Sequence, residues 1–90
     1  MDVPAGTVVK ITNANLNRCY FAVQNFDSTA TNFVYLLQQE AEPEVFTNTG
    51  LAVGGYGLFE MQNCLNAKSK SAWYAYTAVV GGVNIRVVDI

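Results

Sequence analysis

The chain has no histidine, and that absence removes two kinds of chemistry. A serine or cysteine nucleophile has no imidazole to take its proton, and a zinc site has no ring nitrogen to complete it. Cysteine is nearly as scarce: Cys19 and Cys64 are the only two, and neither lies in a Cys-x-x-Cys pair. Charge is sparse too, at 13% of residues with a net of −2, where soluble domains carry about 25%. Binding to nucleic acid needs a clustered basic face to neutralise phosphates, and Lys68 with Lys70 does not make one. Long apolar runs are also missing. The uncharged stretch Ala72 to Val83 is interrupted by Gly81-Gly82 and falls short of the ~20 residues that cross a bilayer, so no membrane partner is expected. The opening Met1-Asp2-Val3-Pro4-Ala5-Gly6 is acidic and carries proline and glycine rather than a basic and then apolar leader. The expectation is therefore a chain that stays where it is made, with both cysteines reduced and not bonded to each other.

What the sequence does have is apolar surface, at 51% hydrophobic residues in a chain of 90. A chain of this size forms one domain and hides only ~60–65% of its unfolded surface, so its stability margin is thin. Strand signals dominate. Thr7 to Thr12 is β-branched and bounded by Pro4, Gly6 and a run of asparagines; Arg18 to Gln24 and Phe33 to Gln38 follow, separated by the turn formers Asn25, Asp27, Ser28 and Asn32. That spacing predicts a hairpin. From Gln39 to Gly57 the pattern weakens, leaving short edge strands at Val45-Phe46 and Leu51-Ala52-Val53 and turn glycines at 54, 55 and 57. Leu58 to Gln62, Ala72 to Thr77 and Val83 to Val88 complete the set, the last two joined by Gly81-Gly82 as a final hairpin. No window has the capped three-to-four-residue apolar period of a helix, although Gln38 to Glu44 has room for one short turn. Short strands with short connections imply an all-β fold, a small antiparallel sandwich or barrel of about 6–8 strands, spanning residues 1–90 with 1–6 as an N-terminal arm. One parity of each strand builds the expected core: Val9 and Ile11, Phe21 and Val23, Val34 and Leu36, Phe59 and Met61, Trp73 and Ala75, Ile85 and Val87. Cys19 falls in register with Phe21 and Val23 and reads as a small buried hydrophobe, with Cys64 peripheral.

The candidate chemical constellations are weak beside their plainer readings. Glu40, Glu42 and Glu44 alternate, which on an extended segment aims three carboxylates one way. They lack the glycine and oxygen ligands at set offsets of a calcium loop, and the opposing carboxylate of a glycosidase, so they read as a solvated acidic loop. Ser69 and Ser71 beside Lys68 and Lys70 read as a polar loop tip. The glycines at 54, 55 and 57 do not follow the dinucleotide-binding pattern and read as turn residues. Catalytic, cofactor and metal residues are therefore expected to be absent. Tyr20, Tyr35, Tyr74 and Tyr76 remain, on strands that are apolar on both parities. An antiparallel sheet with one wet face alternates with polar residues, and these strands do not, so an outer face covered by another chain is expected, with the tyrosines as contact residues.

One resemblance joins these features. Arg18 followed by Val23-Gln24-Asn25, then Val34-Tyr35-Leu36, a glycine-bearing turn before Leu58-Phe59-Glu60, then Trp73-Tyr74-Ala75-Tyr76 and Ile85-Arg86-Val87, resembles a pattern in small β-sandwich virion proteins of tailed bacteriophages, often of the capsid decoration (cement) type. Gly54-Gly55-Tyr56-Gly57 stands where such chains commonly carry Pro-Gly. The resemblance runs from Arg18 to the end and implies a non-enzymatic structural protein, made in the host cytoplasm and located in the virion, that binds and reinforces the capsid exterior. The implied partners are a major capsid protein or another virion protein, together with further copies of the chain in a homo-oligomer, a trimer. The alternatives are a carbohydrate-binding module, with tyrosines as a stacking platform beside Asn84 and Gln62, and a head–tail or tail subunit.

Overall fold

The computed structural model describes residues 1–62 and 70–90. The elements run β1 (Asp2–Val3), β2 (Val9–Thr12), β3 (Phe21–Asn25), β4 (Val34–Leu37), α1 (Pro43–Thr49), β5 (Leu51–Val53), β6 (Leu58–Met61), β7 (Trp73–Tyr76) and β8 (Val83–Asp89). They form two four-stranded sheets, a first with order β1-β8-β3-β6 and a second with order β2-β7-β4-β5. Every ladder between named strands is antiparallel. The all-β sandwich expected from the strand pattern is the fold observed, and its interleaved strand order is that of a jelly roll.

The core lies between the sheets and uses the predicted parity. All twelve expected residues belong to it, eight buried and Val9, Phe59, Met61 and Val87 packed at its margin. Phe21 stacks on Trp73 with ring centroids 5.1 Å apart, and Phe59 tilts against both rings. The Trp73 indole N–H, buried without a hydrogen-bond partner among the described residues, is the cost of placing that ring here.

Several local expectations are corrected. Neither expected hairpin forms: β3 lies in the first sheet and β4 in the second, and β7 and β8 are split the same way. A short connection containing glycine serves an arch between layers as well as a hairpin within one, and the distant strands decide which. At Gly81 and Gly82 the backbone takes φ of 90° and 80°, the left-handed region glycine enters at least cost. The residues expected as an N-terminal arm are partly structured, because Asp2 and Val3 pair with Asn84 and Val83 and Val3 is fully buried.

Val45-Phe46, expected as an edge strand, lies in α1, with Pro43 in its first turn and Gly50 at its end. Pro43 has its φ preset for a helix start. Phe46 is fully buried and meets Tyr76 at 6.1 Å between ring centroids, so tertiary packing holds a helix too short to be stable alone. Cys19 is exposed rather than core and is disulfide-bonded, which overturns the expectation of two reduced thiols. Cys64, Lys68 and Ser69, with the readings placed on them, lie outside the described residues.

Candidate functional site

Two buried polar residues shape one end of the sandwich. Asn25 donates from Nδ2 to the carbonyls of Asn32 and Val53, both at 2.9 Å, while its Oδ1 accepts from the Asp27 N–H. Thr77 donates to the Phe33 carbonyl at 2.7 Å and accepts from the Val79 N–H. These bonds pin the loops 26–33, 54–57 and 78–82 to the scaffold. Gly55 approaches the Thr29 carbonyl so closely that no Cβ fits there. The turn it enters forces Tyr56 to φ 60°, a conformation that is uncommon and costly for a residue with a side chain. The aromatic side chain so placed is 68% exposed, Val80 on the loop 78–82 is 96% exposed, and Phe33 at the end of the loop 26–33 is exposed as well. The loop end therefore presents aromatic and aliphatic groups to solvent from a fixed frame.

The opposite end is closed by Arg18, whose whole side chain is buried. Its guanidinium grips Asp89 through both carboxylate oxygens, at 2.5 and 3.1 Å. It also donates to the carbonyls of Ser71 and Asn13 and to the Thr12 hydroxyl, and lies over the Phe21 ring at 5.4 Å. Asp89 belongs to the first sheet and Thr12 to the second, so one arginine ties the layers together. The Arg18 hydrogen bond, opposed by burial and assisted by Thr12, holds the Asp89 carboxyl below its ordinary value. This polar cluster joins the two layers and reads as structural.

The four tyrosines expected to share an interface are not together. Tyr35, Tyr74 and Tyr76 lie on the outer face of the second sheet, with Tyr35 paired to Tyr76 and Leu37 to Tyr74. Much of that face is covered by α1: Tyr76 is buried under Phe46, while Lys10 lies over Tyr74 at 5.9 Å. Tyr20 is on the other side of the molecule, outside the first sheet, where its hydroxyl donates to Glu60 at 2.6 Å. That bond raises the Tyr20 phenol above its ordinary value and lowers Glu60.

Around Tyr20 the ladder registers build a grid. Ala22 sits between Glu60 and Val88, and Gln24 between Leu58 and Arg86. Ala22 is only 3% exposed although it points outward, because its taller neighbours rise around it, and Leu58 is 59% exposed. The result is a hollow of about 280 Å³ lined by Tyr20, Ala22, Gln24, Leu58, Arg86 and Val88. Sequence reasoning found Tyr20 here but missed Leu58 and Arg86, which were counted only as strand members. Glu40, Glu42 and Glu44 are exposed as expected, and among the described residues no cluster of acidic residues or cysteine is arranged to hold a metal. Comparison with protein-family models, curated proteins and solved structures finds no match to the chain.

Proposed function

We propose that this chain is a structural subunit of a virion, a decoration-type protein that seats its loop end on the outside of a capsid shell. The observation that carries the reading is that loop end. Three loops pinned by Asn25 and Thr77 hold Phe33, Tyr56 and Val80 in solvent, and Tyr56 sits in a strained backbone that solvent does not reward. Rigid, exposed aromatic side chains are the anchors protein interfaces use. The jelly-roll strand order occurs in viral coat and lectin domains, and a fold by itself does not select between such uses. A disulfide at Cys19 suits a particle surface facing oxidising surroundings.

Co-sedimentation with empty capsid shells of a tailed phage carrying this gene tests the reading. Wild-type protein is expected in the pellet. Tyr56→Gly removes the ring and relieves the positive φ, so it should fold at least as well as wild type yet bind at least about tenfold more weakly. Wild-type protein that stays in the supernatant, together with a positive glycan array, would replace decoration with carbohydrate binding.

A further inference from the structure

We infer that the outer face of the first sheet seats a second copy of this chain about a two-fold axis, Arg86 of each copy meeting Glu60 of the other across the Ala22 hollow. The inference does not rest on the capsid reading, which uses the loop end.

Uncovered apolar surface is the first observation. α1 packs on β4 and β7 of the second sheet, whereas on the first sheet Phe26, Leu58 and Ile90 remain exposed. The strand parity that carries Tyr20, Ala22 and Gln24 continues to Phe26, and the mutual Tyr20 and Ile90 backbone bonds extend the ladder. Patches of this kind on a sheet face mark interaction surfaces.

Charge complementarity then selects the occupant. Arg86 and Glu60 flank the hollow at opposite corners, Arg86 beside Gln24 on one side of β3 and Glu60 beside Ala22 on the other; farther out, the Met1 ammonium, which donates to Asn84 and to the Ile85 carbonyl, and Asp2, paired with Asn84, add one charge of each sign. Among the described residues the Arg86 side chain makes no hydrogen bond or ion pair. Glu60 is aimed outward, one oxygen accepting from Tyr20 and the other from Gln62 at 2.7 Å. A partner of uniform charge would satisfy one corner and oppose the other. A second copy, related by a two-fold axis lying between the faces and perpendicular to the line from Arg86 to Glu60, satisfies both at once. An isologous contact repeats every favourable pair. The same axis lays Val88 of each copy against β3 of the other near Ala22, which leaves room, and Leu58 near Gln24.

The experiment measures oligomeric state in isolated protein, without shells. Light scattering behind size exclusion at about 50 µM, above the micromolar range where interfaces of ordinary size assemble, should give a dimer for wild type. Arg86→Glu places two like-charge pairs in the contact and Glu60→Arg does the same with the opposite sign, so each alone should be monomeric. An equimolar mixture of the two variants restores both attractive pairs and should yield a heterodimer, which misfolded variants cannot do. Arg86→Gln, milder for folding, should weaken the wild-type dimer at least about tenfold. Wild-type protein that is monomeric at this concentration, a dimer that persists in either charge-reversal variant, or a mixture that stays monomeric would overturn the inference. None of those results bears on shell binding through Tyr56.

Discussion

Arg18→Ala should be among the most damaging single changes in this chain. The guanidinium makes bonds of 2.5 to 3.1 Å to Asp89, Ser71, Asn13 and Thr12. Removing one member of a buried ion pair typically costs about 3–5 kcal/mol, because the other member is left without compensation. Asp89 keeps 30% of its side chain in water, so part of its charge is rehydrated and the low end applies, about 3 kcal/mol. Against a total of about 5–10 kcal/mol for a small domain, that loss should lower the thermal midpoint by roughly 12–24 °C. Arg18→Lys keeps the charge, but a single ammonium cannot grip a carboxylate at two points and also reach two carbonyls, so about half the loss should remain. Differential scanning calorimetry of the three proteins is the assay. A loss under about 1 kcal/mol for Arg18→Ala, or a lysine variant equal to wild type, would refute the view that one buried fork joins the sheets.

The same pair sets an acid limb. Arg18 holds the folded Asp89 carboxyl below its ordinary value, so folding favours the ionised form. That contribution is complete above the unfolded value of about 3.9 and is lost as pH falls through the lower folded one. Asp89→Asn should therefore be less stable than wild type at neutral pH, with the gap narrowing below about pH 4.

Phe46→Ala should cost about 3 kcal/mol and abolish hydrogen-exchange protection across Pro43–Thr49, since α1 is held by that side chain; persistent protection would show that the helix stands without it. NMR titration should find the Tyr20 phenol above its ordinary value, chiefly through its bond to Glu60, and Glu60→Gln should bring it down, whereas an unmoved midpoint would break that link. Alkylation without reductant should leave Cys19 unlabelled, and reduction should lower stability by about 2–4 kcal/mol; a labelled thiol in native protein would restore the reduced state expected from sequence.

The core was legible because a strand with period two needs only one decision per segment, and polar markers such as Lys10, Glu60, Asn84 and Arg86 made it. Connectivity was not legible. Gly81-Gly82 and the turn formers after Asn25 announce that the chain reverses, but not whether the next strand stays in the layer or crosses to the other, because β2 and β3, distant in sequence, compete for β7 and β8. Helix α1 was missed for a related reason: seven residues make about two turns, too few for a repeating apolar face, and the signals present were Pro43, Gly50 and one large hydrophobe. Arg18 begins the expected strand Arg18 to Gln24, where nothing in the pattern marks a charged residue for burial; its burial follows only from the convergence of Asp89, Ser71 and Asn13.

The outer faces show where counting apolar parities succeeds and where it stops. Strands apolar on both sides need cover on both sides, and that inference used β3, β4 and β7 alike. The structure covers the second sheet from within, by folding Phe46 onto Tyr76, and leaves the first with Leu58 exposed beside Ala22. The pattern states that cover is required and is silent on which chain supplies it, since a seven-residue helix of the same chain and a second molecule bury the same kind of area. The two tyrosines should therefore separate on substitution. Tyr76→Ala removes a ring that the chain's own helix needs, so it should destabilise the monomer by about 3 kcal/mol and leave any association intact. Tyr20→Ala removes a ring whose hydroxyl is used only to orient Glu60 at the surface; it should leave the thermal midpoint within about 3 °C of wild type while weakening self-association. Equal effects of both variants on both measurements would mean that the two faces do not differ in the way their cover implies.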